Sequence, residues 1–329
     1  MAYTDAVLQR AQARLESARE QNERDSRARI AAIYARLPRL RQIDTELKKT
    51  AAKVYAAAFR AAQGPEEAVA ELRKENLALQ QERDWLLQAE GVDADDLSVT
   101  PICPHCGGSG YVGAAMCECL RELCRQEQKK ELSSELGGAR ESFEKFRLEL
   151  YPDSFDPKLG TSPRTLMKKT YTDAVRYAQS FTPQAESLLF MGATGLGKTF
   201  LSGCIARAVA ERGFSVCYVT AEALFSDFEE QKFRPREDVD RTARYFVCEL
   251  LILDDLGTEM TTQMTVSALY QLLNTRITES RPTIVSTNLP VGDLERRYSA
   301  QIASRLLGCC TLYKFCGEDI RLKLRCAHG

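Results

Sequence analysis

Four short stretches hold residue types at spacings that suit chemistry. The first, Gly192-Ala193-Thr194-Gly195-Leu196-Gly197-Lys198-Thr199, fits G-x4-G-K-T between an apolar run and a helical pattern. Glycines let the backbone turn sharply and aim N–H groups at phosphate oxygens, and a helix starting at the lysine adds the partial positive charge of its N-terminus. In such a P-loop Lys198 reaches the β- and γ-phosphates of a nucleotide, and the Thr199 hydroxyl ligates Mg2+. The second stretch, Leu250-Leu251-Ile252-Leu253-Asp254-Asp255, ends in two carboxylates, the first 56 residues after Lys198. This is the Walker B arrangement: Asp254 is placed to hold Mg2+ through water, and Asp255 to orient or deprotonate an attacking water. Many ATPases carry Glu at the second place, and Asp has a shorter reach.

The third stretch, Thr283-Ile284-Val285-Ser286-Thr287-Asn288, is a strand-like run tipped by an amide. Asn288 is the candidate sensor of the γ-phosphate or the attacking water, its plainer reading being the Asn-Leu-Pro turn that follows. Downstream, Arg296, Arg297 and Arg305 lie on a helical pattern. Arg305, in Ala303-Ser304-Arg305-Leu306, is the candidate arginine finger acting on a neighbouring subunit, with a structural salt bridge as the alternative.

The fourth stretch is a cysteine module, Cys103-Pro104-His105-Cys106 followed, ten residues on, by Cys117-Glu118-Cys119. Its C-x2-C and C-x-C knuckles can bring four thiolates tetrahedrally onto one Zn2+ at about 2.3 Å, a closed structural site. A reduced thiol or redox cluster is the alternative. His105 and Cys124 are spare donors, and His105 sits inside the knuckle, where a side chain normally points away. The other seven cysteines, Cys204, Cys217, Cys248, Cys309, Cys310, Cys316 and Cys326, fall mostly in apolar patterns and read as buried free thiols. No knuckle spacing supports a second metal site from Cys309, Cys316, Cys326 and His328.

No run reaches the roughly 18 apolar residues of a membrane span, and MAYTDAVLQRAQARLE is charged too early for a secretory signal. A cytoplasmic protein with no membrane partner is expected, and in that compartment thiols stay reduced. With 44% hydrophobic and 28% charged residues, and 45 Lys plus Arg against 46 Asp plus Glu, the chain is neither disordered nor globally basic.

The elements that must position these residues follow from patterning. From Leu188 onward the runs LLFM, VCYVT, LLILDD, TIVSTN and CTLYKF alternate with helical stretches, from Lys198, around Ala221 to Phe233, around Thr265 to Glu279 and around Ile302. Strands separated by helical crossovers predict an α/β fold, a parallel sheet sandwiched by helices. Phe143, Phe146 and Tyr151, ahead of the P-loop, are candidates for the adenine pocket.

Residues 1–90 are rich in helix formers and are divided by Pro38 and Gly64-Pro65, predicting three helices in a hairpin or coiled-coil arm. Apolar stripes fall on Leu40, Ile43, Leu47, Val54 and Ala58, and on Val69, Leu72, Leu79 and Leu86. Residues 1–63 carry 13 Lys plus Arg against 7 Asp plus Glu, and residues 64–100 carry 3 against 10. The basic half suits phosphates, or equally the acidic half beside it. Ser133 to Ala139 reads as a hinge. The expected division is a helical arm over 1–99 for partner binding, a zinc-binding module over 100–124, a linker over 125–142 and an ATPase domain over 143–329.

Together the P-loop, LLILDDLG at 250–257, STN at 286–288, Ser304-Arg305-Leu306 and Phe315-Cys316-Gly317-Glu318-Asp319-Ile320-Arg321 resemble the DnaC/DnaI-type helicase loaders and their IstB relatives, over residues 143 to 322. The N-terminal helices with their cysteine module resemble the adaptor region of some bacterial and prophage loaders. The resemblance implies an AAA+ P-loop ATPase domain that uses ATP and Mg2+ and self-associates. It also implies docking of a hexameric replicative helicase through the N-terminal region and help in placing that helicase on single-stranded DNA. Only 12 residues follow Gly317, so no C-terminal helical lid is expected, as in loaders. Lys198, Thr199, Asp254, Asp255, Asn288 and Arg305 match the family's functional positions, and Arg321 matches a position of less defined role. Two other functions stay open: an IstB-type ATPase helper of DNA transposition, and a nucleotide-switched adaptor in which hydrolysis is incidental.

Overall fold

Straight-chain residues and alanine lose little rotamer freedom in a helix, and the N-terminal region built from them is helical: α1 (Asp5–Arg36), α2 (Pro38–Arg60) and α3 (Pro65–Glu90). Pro38 and Pro65 each open a helix, where a missing N–H costs nothing. The computed structural model describes residues 3–60, 65–135, 142–233 and 240–326, and the chain divides into two compact units, residues 13–119 and residues 1–12 with 120–329.

In the first unit Leu40 and Ile43 are fully buried, and α2 is joined to α3 by the ion pairs Arg39–Glu82 and Arg83–Asp44, each at 2.7 Å. On α3 Leu87 is buried while Leu72, Leu79 and Leu86 are half-buried; the side chains of Val54, Ala58 and Val69 lie outside those described. The same unit contains the hairpin of β1 (Tyr111–Val112) and β2 (Ala115–Met116).

The second unit takes in most of α4 (Glu118–Glu135), which buries Leu120, Cys124, Gln128 and Leu132. Of the hinge expected at Ser133 to Ala139, residues 136–139 lie outside the described residues. Then come α5 (Pro163–Ser180), β3 (Ser187–Met191), α6 (Lys198–Glu211), β4 (Val216–Thr220), α7 (Ala221–Phe233), α8 (Ala243–Val247), β5 (Leu250–Leu256), α9 (Gln263–Thr278), β6 (Thr283–Thr287), α10 (Val291–Tyr298), α11 (Ala300–Cys309), β7 (Cys310–Lys314) and α12 (Ile320–Cys326). The five strands β3 to β7 pair in parallel in the order β4-β5-β6-β3-β7, the sandwich expected from the alternating pattern.

Strand side chains alternate between faces, so each continuous apolar run feeds two cores. Leu250 and Ile252 pack with Met167 of α5 and with Leu201 and Ile205 of α6; Leu251 and Leu253 pack with Tyr245, Leu269, Leu272, Leu294 and Ile302 from α8 to α11. The edge strand β4 is capped by Gln128, whose Nε2 donates to the Phe214 carbonyl at 2.7 Å while its Oε1 accepts from Val216 N at 3.4 Å.

Arg276 of α9 is fully buried. Its guanidinium donates to Thr283 Oγ1 at 2.8 Å and to the carbonyls of Tyr245 at 2.9 Å, Cys248 at 3.1 Å and Pro282 at 2.6 Å, stitching the entries to β5 and β6 to the helical layer. Truncation strands several buried acceptors at once. Arg276→Ala is therefore expected to cost about 3 kcal/mol or more, read as a lower urea midpoint at unchanged m-value.

Candidate functional site

The P-loop leaves β3 and wraps the N-terminus of α6. Gly195 and Gly197 have φ values of +80° and +89°, the left-handed region that favours glycine, and a Cβ on Gly197 would stand 2.9 Å from the Tyr151 hydroxyl. Tyr151 braces the loop by donating to the Leu196 carbonyl at 2.8 Å. Ile320 N donates to the Gly195 carbonyl at 3.0 Å, and the Asp319 carboxylate lies against Gly195, so the residues after β7 support the loop from the other side.

Lys198 is buried, and its ammonium donates to the carbonyls of Gly192 at 2.7 Å and Ala193 at 2.9 Å. Burial pulls its pKa down, against the charges of Asp255 and Asp254. A cavity of about 1150 Å³ opens over the loop, lined by Thr194 to Thr199, Asp255, Arg321 and a wall from the 144–151 segment. Phe146 and Tyr151 belong to that wall. Phe143 does not; it packs edge-on against Tyr171 at 5.9 Å.

The paired acids lie at an irregularity in the sheet. Leu253 pairs with Val285 and Leu256 with Thr287, so β5 carries one more residue than β6 across this span, a β-bulge. Ser286 stands opposite it: its hydroxyl donates to Asp254 Oδ1 and accepts from Asp255 N at 2.9 Å. Asp254 is buried and its Oδ2 accepts from the Tyr218 hydroxyl at 2.7 Å. Asp255, at φ +54°, lines the cavity. Burial, then the charge of Asp254, push its pKa up, opposed by Lys198 and Arg321.

Asn288 follows β6 and is exposed, its Oδ1 beside Gly257. The strand tip before it is tied to both neighbours: Gly192 N donates to the Thr287 carbonyl at 3.2 Å, and Thr287 Oγ1 to the Leu256 carbonyl at 2.6 Å. Arg305 does not line its own chain's cavity. Its guanidinium lies 4.5 Å from the Tyr270 ring centre and donates to Tyr270 Oη and Asn274 Oδ1, each at 2.9 Å. Arg296 pairs with Asp293, and Arg297 donates to the Glu259 carbonyl.

Sequence reasoning missed Tyr218 and passed over Ser286. Ser286 had a signal, a polar residue inside an apolar run; Tyr218 had none, because its link to Asp254 follows from strand pairing.

The four module cysteines converge, with all sulfur atoms within 4.8 Å of one another, Cys103 to Cys117 at 3.8 Å and Cys106 to Cys119 at 3.4 Å. A tetrahedron with bonds of about 2.3 Å has edges of about 3.8 Å, so the donor set fits a zinc-type ion. Burial disfavours the Cys106 thiolate, but N–H groups of Gly110 and Gly108 and the neighbouring thiols outweigh it and bring the pKa down to about 6. Burial and the Cys106 thiol push Cys119 up. Of the spare donors, His105 is exposed and Cys124 is buried in α4 outside the cluster. Cys204, Cys217 and Cys248 are buried as expected, but Cys309 is exposed and Cys310 and Cys316 are half-buried, because these three sit at the edge strand β7 and its ends. The side chains of Cys326 and His328 lie outside those described.

A five-stranded parallel sheet with a phosphate loop after β3, paired acids at the end of β5 and β6 inserted between them defines an AAA+ type P-loop nucleotide-binding fold. Residues 170–327, a little under half of the chain, match the family described as IstB-like ATP binding protein. An ATP-binding protein of insertion sequence IS232 from Bacillus thuringiensis subsp. berliner is 27% identical over 148 residues, covering 44% of this chain and 58% of its own length. The chromosomal replication initiator protein DnaA of Helicobacter pylori (strain P12) is 36% identical over 85 residues, 26% of this chain and 18% of that protein. The chain thus spans little more than half the length of the insertion-sequence relative and less of the initiator. Among solved structures, the DnaC helicase loader has a TM-score of 0.44 and 18% identity over 53% of this chain and 98% of that one. DnaI has a TM-score of 0.44 and 22% identity over 57% and 93%.

Metal analysis of the purified full-length protein is expected to find about one tightly held zinc-type ion per chain, lost in Cys103→Ser or Cys119→Ser. Protein that is metal-free yet retains its helical circular dichroism overturns the assignment.

Proposed function

We propose that this chain is a Mg2+-dependent ATPase that loads a hexameric replicative DNA helicase onto single-stranded DNA, with ATP binding organising the assembly and hydrolysis permitting release. The observation that carries this reading is the combination of an ATP-binding domain with a separate helical unit, residues 13–119, that lies outside the IstB-like match and bears its own four-cysteine site. Such a unit suits docking to a partner, and a structural Zn2+ held by Cys103, Cys106, Cys117 and Cys119 would keep its small hairpin folded. The reading places the protein in the cytoplasm; among the described residues no helix is long and apolar enough to cross a membrane.

In this reading the N–H groups from Gly192 to Gly197 and the α6 N-terminus hold the triphosphate, and Lys198 exchanges the Gly192 and Ala193 carbonyls for the β- and γ-phosphate oxygens. Thr199 and Asp254 would hold Mg2+, which neutralises phosphate charge when bound. Tyr218 and Ser286 keep the Asp254 carboxylate aimed, and Asp255 accepts the proton of the attacking water or orients it. Asn288 senses the γ-phosphate from the strand tip. Arg305 acts on the nucleotide of a neighbouring subunit, a role supported by its place outside its own cavity.

A second reading, an ATPase helper of transposition assembling on duplex DNA, is favoured by the insertion-sequence proteins among the relatives. Incubation of immobilised full-length protein with purified replicative helicase separates the two. Capture of the hexamer and its release on hydrolysis support the loader; ATP-dependent assembly on duplex DNA without helicase capture supports the helper.

Lys198→Ala is expected to abolish ATP binding in calorimetry, and Arg305→Ala to lower kcat by about 10³ or more while sparing binding. Mixing the two inactive proteins restores turnover if Arg305 works across subunits; silence at every ratio places it in its own chain. Because Asp255 holds its proton more tightly than a free aspartate, the rate should fall at a pH above the ordinary value of about 3.9 as acid is added, read from the acid limb of the kcat profile.

A further inference from the structure

One groove in the helical unit is used by nothing described so far. It lies between α1 and α2, has a volume of about 370 Å³, and carries Arg27 from α1 and Arg41 and Lys48 from α2, with Ile30 and Tyr34 among its apolar lining. Seven residues separate Arg41 from Lys48, two helical turns or roughly 10 Å, so the cations are spread along the groove. The one acid in the lining, Asp44, is already engaged: it accepts from the Tyr34 hydroxyl at 2.6 Å and from Arg83 Nε, outside the groove, at 2.7 Å. Arg27 has only an exposed partner, Glu23, at 3.4 Å, and Arg41 and Lys48 have no acid partner among the described residues. With Asp44 already paired, the three exposed cations leave the groove net positive, which favours an anion there.

We infer that this groove binds the phosphates of a single-stranded nucleic acid, apart from the nucleotide site and independently of ATP. Guanidinium forks match phosphate oxygens two at a time, and Lys48 adds a point charge further along the same wall. Tyr34, pinned through its hydroxyl to Asp44, lines the groove beside the cations, as does the aromatic platform of single-strand binders. The groove's volume, about 370 Å³, is of the order of one nucleotide, so an extended strand can lay its phosphates along the cations while a base meets Tyr34. The basic excess over residues 1–63 adds long-range attraction.

The test uses the full-length protein without ATP and a fluorescein-labelled oligo(dT) of about 20 nucleotides, titrated by anisotropy between roughly 50 and 200 mM salt. The triple variant Arg27→Ala, Arg41→Ala, Lys48→Ala is expected to bind about tenfold or more weakly. Its slope of log K against log salt should be shallower by about 2, since each phosphate left without its cation removes about 0.7. Removing two cations elsewhere, Arg73→Ala with Lys74→Ala on α3, should change affinity by less than about twofold. Should the triple variant lose helical circular dichroism, Lys48→Glu alone, at an exposed position, is expected to weaken binding more than Lys48→Ala. Wild-type protein that fails to bind the oligonucleotide overturns the assignment, as does a groove variant with unchanged affinity and slope. Binding of a poly-glutamate peptide, but not oligo(dT), that depends on the same three residues overturns it in favour of an acidic protein partner.

Discussion

One extra residue in β5, set against Ser286 of β6, governs the chemistry available to this protein. In a regular strand two consecutive acids point to opposite faces of the sheet, one of them into a helix-covered core. The bulge breaks that alternation. Asp254 turns inward to the hydroxyls of Tyr218 and Ser286, Asp255 adopts a positive φ and faces the cavity, and Ser286 supplies the acceptor that the displaced Asp255 N–H needs. The arrangement requires β6 between β3 and β5, because only there does one strand tip bond to the P-loop through the Thr287 carbonyl and to β5 through the Thr287 hydroxyl.

Electrostatics follow from that geometry. Lys198 and Asp254 are buried and Asp255 is partly so, with the lysine set against the two carboxylates. Burial drives the lysine and Asp255 toward their neutral forms, and the lysine–carboxylate attraction resists it. A site balanced in this way responds to added charge, and a triphosphate arriving at the loop brings the largest charge the cavity meets. Glu259 extends the network: it accepts from Gly257 N at 3.0 Å, just beyond the bulge, and from the Tyr298 hydroxyl of α10. The loop after β5 is thereby joined to the helix preceding α11, which carries Arg305.

The helical unit follows a different logic. Among the described residues its helices are mostly exposed, with a narrow apolar seam around Leu40 and Ile43 and two arginine–carboxylate pairs between α2 and α3. Its hairpin is two residues per strand, too small to be stable alone, and the four sulfur atoms of the cysteine module converge within 4.8 Å of one another.

The primary sequence alone determined the parallel α/β sheet, the identity of the phosphate loop and acid pair, and the convergence of the four cysteines, because each rests on local spacing: G-x4-G-K-T, an apolar run with its acids, two knuckles ten residues apart. It also contained the charge contrast within its N-terminal region, without saying where the charges meet. Only the tertiary structure decided the roles of Tyr218 and Ser286, the exclusion of Phe143 from the cavity, the exposure of Cys309, the seat of Arg305 over Tyr270 and the basic groove between α1 and α2. Those depend on strand order, on a bulge and on which helix faces meet. Such pairings join residues far apart in the chain, and no local pattern records them.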